Sequence, residues 1–203
     1  MNKENIIIRE KPDSISWEEI RQCLIDAHAE NRAKGINMTH YQWPAEKIKS
    51  FIGDDSVVLV ALDDSKLIGV LALNTIEKKK WYVTGKCGYV GFGAVLHEYN
   101  GQGVFRKLYD TIEEKARKKG YDMLIRDTNE RNKRMLKISK KEGYSYVDYM
   151  VGNDHNSIMS AKWLGECPFS TCYCKRRFLL SKYKAKMTYA IRALMTKCKL
   201  KRN

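Results

Sequence analysis

The chain has 203 residues, of which 43% are apolar and 31% charged, a balance that builds a core and excludes intrinsic disorder. That length suits one domain with an appendage rather than two full domains. No run approaches the roughly 18 consecutive apolar residues of a membrane-crossing helix. Met1-Asn2-Lys3-Glu4-Asn5 opens no cleavable-signal pattern, so the protein is expected in the cytoplasm. The formal charge of +14 is uneven: eleven basic and no acidic residues lie between Lys175 and the end, which leaves +3 on the first 174 residues.

In chain order, Ile6-Ile7-Ile8-Arg9 predicts a short strand. Ser16-Trp17-Glu18-Glu19 fits a capping box, and Ile20, Cys23, Leu24, Ala27 and Asn31 then share one face of a helix ending near Gly35. Pro44 opens a second helix with Ile48, Phe51 and Ile52 on its inner side and Gly53 at its end. Residues 56–62 and 67–74 read as a strand pair about the turn Asp63-Asp64-Ser65-Lys66, and the chain is extended again through Tyr89 to Leu96. Val104, Phe105, Leu108, Ile112 and Ala116 share a helical stripe stopped by Gly120. A strand over 121–127, a helix over 132–142 and two strands over 144–151 and 157–164 follow. Leu180, Tyr183, Met187, Ile191, Leu194 and Cys198 recur at helical spacing, which predicts a basic amphipathic C-terminal helix.

Six cysteines (Cys23, Cys87, Cys167, Cys172, Cys174, Cys198) have scattered spacing and are expected as free thiols. Cys167, Cys172 and Cys174 invite a zinc reading, but no histidine or second pair follows to complete four ligands, so no metal is expected.

Asn100-Gly101-Gln102-Gly103-Val104-Phe105-Arg106 lies between a strand and a helix start. Glycines let the backbone turn tightly and approach a ligand, and the free amides at a helix start attract anions. A Walker loop is excluded because no Gly-Lys-Ser/Thr is present. A dinucleotide fingerprint is excluded because its third glycine is missing.

The run Val95-Leu96-His97-Glu98-Tyr99-Asn100-Gly101-Gln102-Gly103 resembles the coenzyme-A-binding motif of the GCN5-related N-acetyltransferase (GNAT) superfamily. Asn132, Met135, Leu136, Ile138, Lys141, Gly143 and Tyr144 resemble that family's following helix and strand, and the likeness covers roughly residues 5–164. The resemblance implies an α+β fold of three layers (α/β/α) around a mixed, mostly antiparallel sheet. It implies a domain over 1–164 and a basic helical extension over 165–203. The cofactor implied is acetyl-coenzyme A: amides of Gln102, Gly103, Val104, Phe105 and Arg106 would bind the pyrophosphate. Backbone groups of Val95 and Leu96 would pair with the pantetheine arm, and Asn132 would bond farther along it. Three positions depart from the family's pattern. Asn100 replaces glutamine or arginine, Phe105 replaces a small residue and narrows the cradle, and Ser139 stands where many members carry the tyrosine that protonates the thiolate.

Acetyl transfer to an amine requires that the amine lose its proton. Asp127, five residues ahead of Asn132, is the candidate base; its alternative role is to cap the turn at Thr128-Asn129. Residues 37–43 form either a substrate lip or, through Tyr41 and Trp43, a staple for the helix at Pro44. The expected acceptor is a small-molecule amine, such as an amino sugar of a cell-surface polysaccharide pathway. The basic helix suits contact with a membrane surface. The rival expectation is a non-catalytic module whose tail binds nucleic acid through its eleven basic residues, Tyr183 and Tyr189.

Overall fold

The computed structural model describes residues 6–36, 43–152 and 155–200, apart from the side chains of 193 and 196–200. The elements run β1 (Ile6–Glu10), α1 (Trp17–Ala27), α2 (Ala29–Ala33), α3 (Ala45–Ile52), β2 (Val57–Asp63), β3 (Lys66–Ile76) and β4 (Cys87–Val95). They continue with α4 (Val104–Lys118), β5 (Met123–Asn129), α5 (Lys133–Lys141), β6 (Ser145–Val151), β7 (Asn156–Trp163) and α6 (Thr171–Leu200). The strand order is β1-β2-β3-β4-β5-β7-β6. The α+β class with a mixed, mostly antiparallel sheet is therefore borne out, as is the C-terminal helix. By its contacts the chain divides into two compact units, Met1–Arg126 with Trp163–Gly165, and Asp127–Lys162 with Glu166–Asn203.

In the first unit β1 to β4 form an antiparallel run, and β5 joins β4 in parallel. β3 is buried without a break from Ile68 to Asn74, so both of its faces are covered. The covering helices are α1, which lies against β3 and β4, and α4, which lies along β1 to β4. α1 starts on the expected capping box: the Glu19 amide donates to Ser16 Oγ at 3.1 Å and the Ser16 amide to Glu19 Oε2 at 2.7 Å. The helix expected to run to Gly35 breaks at His28 instead, which separates α1 from α2.

In the second unit β6 and β7 form an antiparallel hairpin, and α6 packs on β6. The register slips between Tyr146 and Asp148, and the amide of Tyr149 donates to Ser181 Oγ of α6 at 3.1 Å. Phe178 and Ala185 of α6 close over Leu136, Tyr149 and Ile158. The residues that α6 buries are thus not the periodic stripe the sequence displays: Leu180, Tyr183, Met187, Ile191 and Leu194 are exposed.

Candidate functional site

The first unit carries the anion cradle. β4 is glycine-rich (Gly88, Gly91, Gly93) and holds a bulge: Ala72 of β3 faces Gly91 while Val70 faces Ala94, so Phe92 and Gly93 together stand opposite Leu71. Phe92 adopts φ 52, a region that a bulky side chain occupies only when its surroundings hold it there. Those surroundings are Trp43 and Phe51, whose rings lie 6.5 and 5.7 Å from that of Phe92. Trp43 therefore acts as the staple of α3, and the rest of the 37–43 segment that could form a lip lies outside the described residues. On the other side of the bulge, His28 Nε2 meets the Gly93 carbonyl at 3.0 Å.

Pairing of β4 with β5 covers Cys87, Gly88 and Tyr89 against Met123, Leu124 and Ile125. Among the described residues of this unit, the edge of β4 turned away from β3 carries no strand partner at Val90, Gly91, Ala94 and Val95. An extended ligand with amide groups can add to such an edge as a further strand. Beyond it the chain stays pinned, the Leu96 amide donating to Ile68 O at 2.9 Å. A single 3-10 turn follows over His97–Tyr99. Tyr99 anchors it by donating to Asp63 Oδ2 at 2.6 Å, and this bond to a carboxylate pushes the phenol up to about 12. Lys66 meets Glu98 at 3.0 Å, and the Gln102 side chain donates to Glu98 O at 2.9 Å.

Gly101 and Gly103 sit at φ 79 and 81, and a Cβ on either would meet nothing within 4 Å. Glycine is needed there for the backbone's handedness, and the space over the turn is open. Gly103 caps α4, and no side chain caps the helix. The first bond of the helix runs from the Lys107 amide to Gly103 O at 3.0 Å, which leaves the amides of Val104, Phe105 and Arg106 without partners among the described residues. No acidic residue stands in the first turn. These unspent donors at the positive end of a fifteen-residue helix fit the phosphates of a nucleotide-linked cofactor.

Phe105 does not narrow this cradle. Its ring turns to β4, where a Cβ on Gly93 would stand 3.1 Å from its Cε2, so the large residue fills the space left by glycine. Arg126 lies 5.9 Å over the same ring. Asn100 is exposed, with its side-chain amide 3.2 Å from His97 Nδ1. Arg106 is exposed beside Asp110 at 3.6 Å. Val95, Leu96 and the run Asn100 to Arg106 thus converge on one loop.

Asp127 and Asn132 belong to the second unit. Asp127 is half-buried inside β5, not at its end, because the strand continues to Asn129. The turn after β5 is capped by Asn129, whose Oδ1 accepts from the Arg131 amide at 2.9 Å. Asn132 caps α5, its Oδ1 accepting from the Met135 amide at 3.0 Å, so one end of its side chain is spent, while its amide nitrogen has no partner among the described residues. Ser139 is fully buried and donates to Met135 O at 3.0 Å. Burial raises the Tyr146 and Tyr149 phenols, and Tyr149 is raised further by donating to Glu130 Oε2 at 2.7 Å.

Sequence reasoning missed a polar cavity of about 370 Å³ in this unit, lined by Glu130, Arg131, His155, Asn156, Lys186 and Tyr189 among others. Glu130 takes bonds from Tyr149 and, at 2.7 Å, from Asn156. Burial pushes its carboxyl up, but those bonds and the charges of Lys182 and Lys186 outweigh it and hold the group below its ordinary value. His155 Nδ1 is enclosed with no partner among the described residues. The only signal in the sequence was the cluster of polar residues in two turns, and turns are polar by default.

Among curated proteins none matches the chain. Solved structures resemble it at low identity. The chain aligns with one in the NatC complex bound to Gag peptide and CoA (TM-score 0.62, 17% identity, 79% of this chain and 99% of that one). It also aligns with an acetyltransferase from Streptococcus agalactiae (0.61, 19%, 79% and 99%). A third is a putative acetyltransferase from Salmonella typhimurium with its cofactor acetyl-CoA (0.59, 14%, 82% and 98%). At such identity these likenesses speak for the fold. The sequence model that matches residues 17–144 spans the β4 edge, the glycine turn and α4, and it shows that the chain belongs to the Acetyltransferase (GNAT) family, acyltransferases whose cofactor is acetyl-coenzyme A.

Proposed function

We propose that the protein transfers the acetyl group of acetyl-coenzyme A to a small-molecule amine, with residues 1–164 as the catalytic domain and 165–203 as a helical extension. One observation carries the reading: three amides at the start of α4, without partners among the described residues, follow a turn of two left-handed glycines just beyond the bulged β4.

In this reading the amides of Val104, Phe105 and Arg106 hold the pyrophosphate, with Asn100, Gly101 and Gly103 shaping the turn; the amide of Gln102 faces Tyr99 O at 3.4 Å instead. The backbone of Val95 pairs with the pantetheine arm, whereas the expected part of Leu96 is not kept, because its amide and carbonyl are spent on Ile68 O and the Tyr99 amide; the side-chain amide nitrogen of Asn132 bonds farther along the arm. When bound, the cofactor supplies a thioester carbonyl and a thiolate that is a good leaving group. Asp127 takes the amine's proton. Neither Ser139 nor Tyr149 serves as the acid: the first hydroxyl is buried and spent on its own helix, and the second phenol already donates its proton to Glu130 and, raised by burial and that bond, is a weaker acid than a free tyrosine. The thiolate leaves with help from solvent. An amino sugar of a cell-surface polysaccharide pathway is the acceptor class we favour, since the basic extension suits an anionic location rather than the cationic amine itself.

Thermal unfolding with and without acetyl-coenzyme A tests the binding half. A ligand that binds only the native state stabilises it by about 2.7 kcal/mol at a hundred times its Kd. No shift at millimolar cofactor overturns the reading. Thiol release with glucosamine, compared with a primary amine that is not a sugar, tests the acceptor class.

A further inference from the structure

The thirty residues of α6 present two apolar faces, and only one is used. Cys174 is 3% exposed, and Phe178 and Ala185 pack on β6 and α5 residues of the same unit. On the far side Leu180, Tyr183, Met187, Ile191 and Leu194 are 46 to 67% exposed. At helical pitch these five fall within roughly 80° of arc, opposite Phe178. Leu179 and Met195 widen the stripe at 62 and 59% exposure, and Tyr173, 42% exposed, extends it toward the helix start. Arg176 and Lys184 stand on or beside it and are exposed, and Lys175 flanks its start.

We propose that α6 lies flat on an anionic membrane surface, with this stripe sunk into the boundary between headgroups and acyl chains and its arginine and lysines meeting lipid phosphates. The inference goes beyond the transfer reading and does not depend on it. Apolar burial and attraction to acidic lipids add in such a helix. Among the described residues no helix is long and apolar enough to cross a membrane, so α6 lies on the surface.

Two other occupants fit less well. The spacing of the stripe, steps of three, four, four and three, would also suit a second copy of the helix. Yet α6 contains no acidic residue, so pairing two copies would set lysine beside lysine with nothing to complement them. A nucleic acid would use the cations but gives the apolar stripe no partner, since its outer surface is phosphate.

Co-sedimentation of the full chain with phosphatidylcholine vesicles, with and without about one third phosphatidylglycerol, tests the proposal. Most of the protein is expected to pellet with the acidic vesicles and little with the neutral ones, and about 0.5 M salt should weaken the binding. Met187→Ser combined with Ile191→Ser keeps the charge and should lower partitioning at least about tenfold. Equal pelleting of that variant and the wild type overturns the proposal. So does a micromolar dimer that the same substitutions dissociate, or tighter retention by RNA than by acidic vesicles at matched salt. An acetyl-coenzyme A thermal shift equal to wild type in the variant shows that its fold is intact. Loss of vesicle binding with that shift retained separates this inference from the cofactor reading.

Discussion

His28 Nε2 stands 3.0 Å from the carbonyl oxygen of Gly93, which ties the break between α1 and α2 to the bulge of β4. Asn31 Nδ2 lies 3.1 Å from His28 Nδ1, which fixes the roles: Nε2 carries the hydrogen and donates to the carbonyl, while Nδ1 accepts from the amide. A residue 65 positions away thus orients the peptide group next to the open edge. His28→Ala should cost about 1 kcal/mol of stability. It should also weaken acetyl-coenzyme A binding several-fold, because the bulge that presents the β4 edge loses its tether. Equal affinity in the variant, measured by calorimetry, would show that Trp43 and Phe51 hold the bulge by themselves.

Gly93 and Phe105 form a complementary pair. A methyl at Gly93 would stand 3.0 Å from Leu71 Cδ1 and 3.1 Å from Phe105 Cε2, closer than relaxed contacts allow. Gly93→Ala should therefore cost about 1–2 kcal/mol through overpacking. Combined with Phe105→Val the loss should be smaller than the sum of the two single losses. A denaturant double-mutant cycle reads the coupling, and strict additivity would mean that the two sites do not touch.

How far the sequence reached depends on the range of the interactions involved. The cradle was legible because its cause is local: glycines that take a left-handed turn, followed at once by a helix start. The capping box at Ser16 and Glu19 was legible for the same reason. The break at His28 was not, since Ala29 to Ala33 continues as a helix and the interruption answers a carbonyl in β4. Phe105 looked like an obstruction because Gly93 is twelve positions away in the chain and meets it only across the fold. In α6 the periodic stripe was visible, but the buried face is set by Tyr149 and Leu136 of other elements, and no period within the helix reports that. The cavity at Glu130 and His155 exists only once the β5 turn, the β6–β7 hairpin and α6 come together.

Acid should weaken the second unit through Glu130. Its folded carboxyl titrates below the ordinary value, so the stabilisation is complete above the unfolded pKa of about 4.3 and is lost as pH falls through the lower folded value. Glu130→Gln cannot make that transition. The difference in Tm between wild type and variant should be largest above about pH 5 and shrink as pH drops below the carboxylate range. A difference that stays constant from pH 7 to pH 3 would remove Glu130 from the account.

Ser139 and Asp127 make opposite predictions for turnover. The Ser139 hydroxyl is fully enclosed and donates to Met135 O, so Ser139→Ala should leave kcat within about twofold, short of the loss expected on deleting a general acid. Asp127→Asn should lower kcat by about 10²-fold or more without changing the KM for acetyl-coenzyme A, since it removes a base and no cofactor contact. Raising the pH should recover part of the loss, because more of the amine is then deprotonated before it binds. A uniform loss of rate at every pH would assign Asp127 to holding β5 in place rather than to proton transfer. Rescue at high pH would not arise from a structural defect.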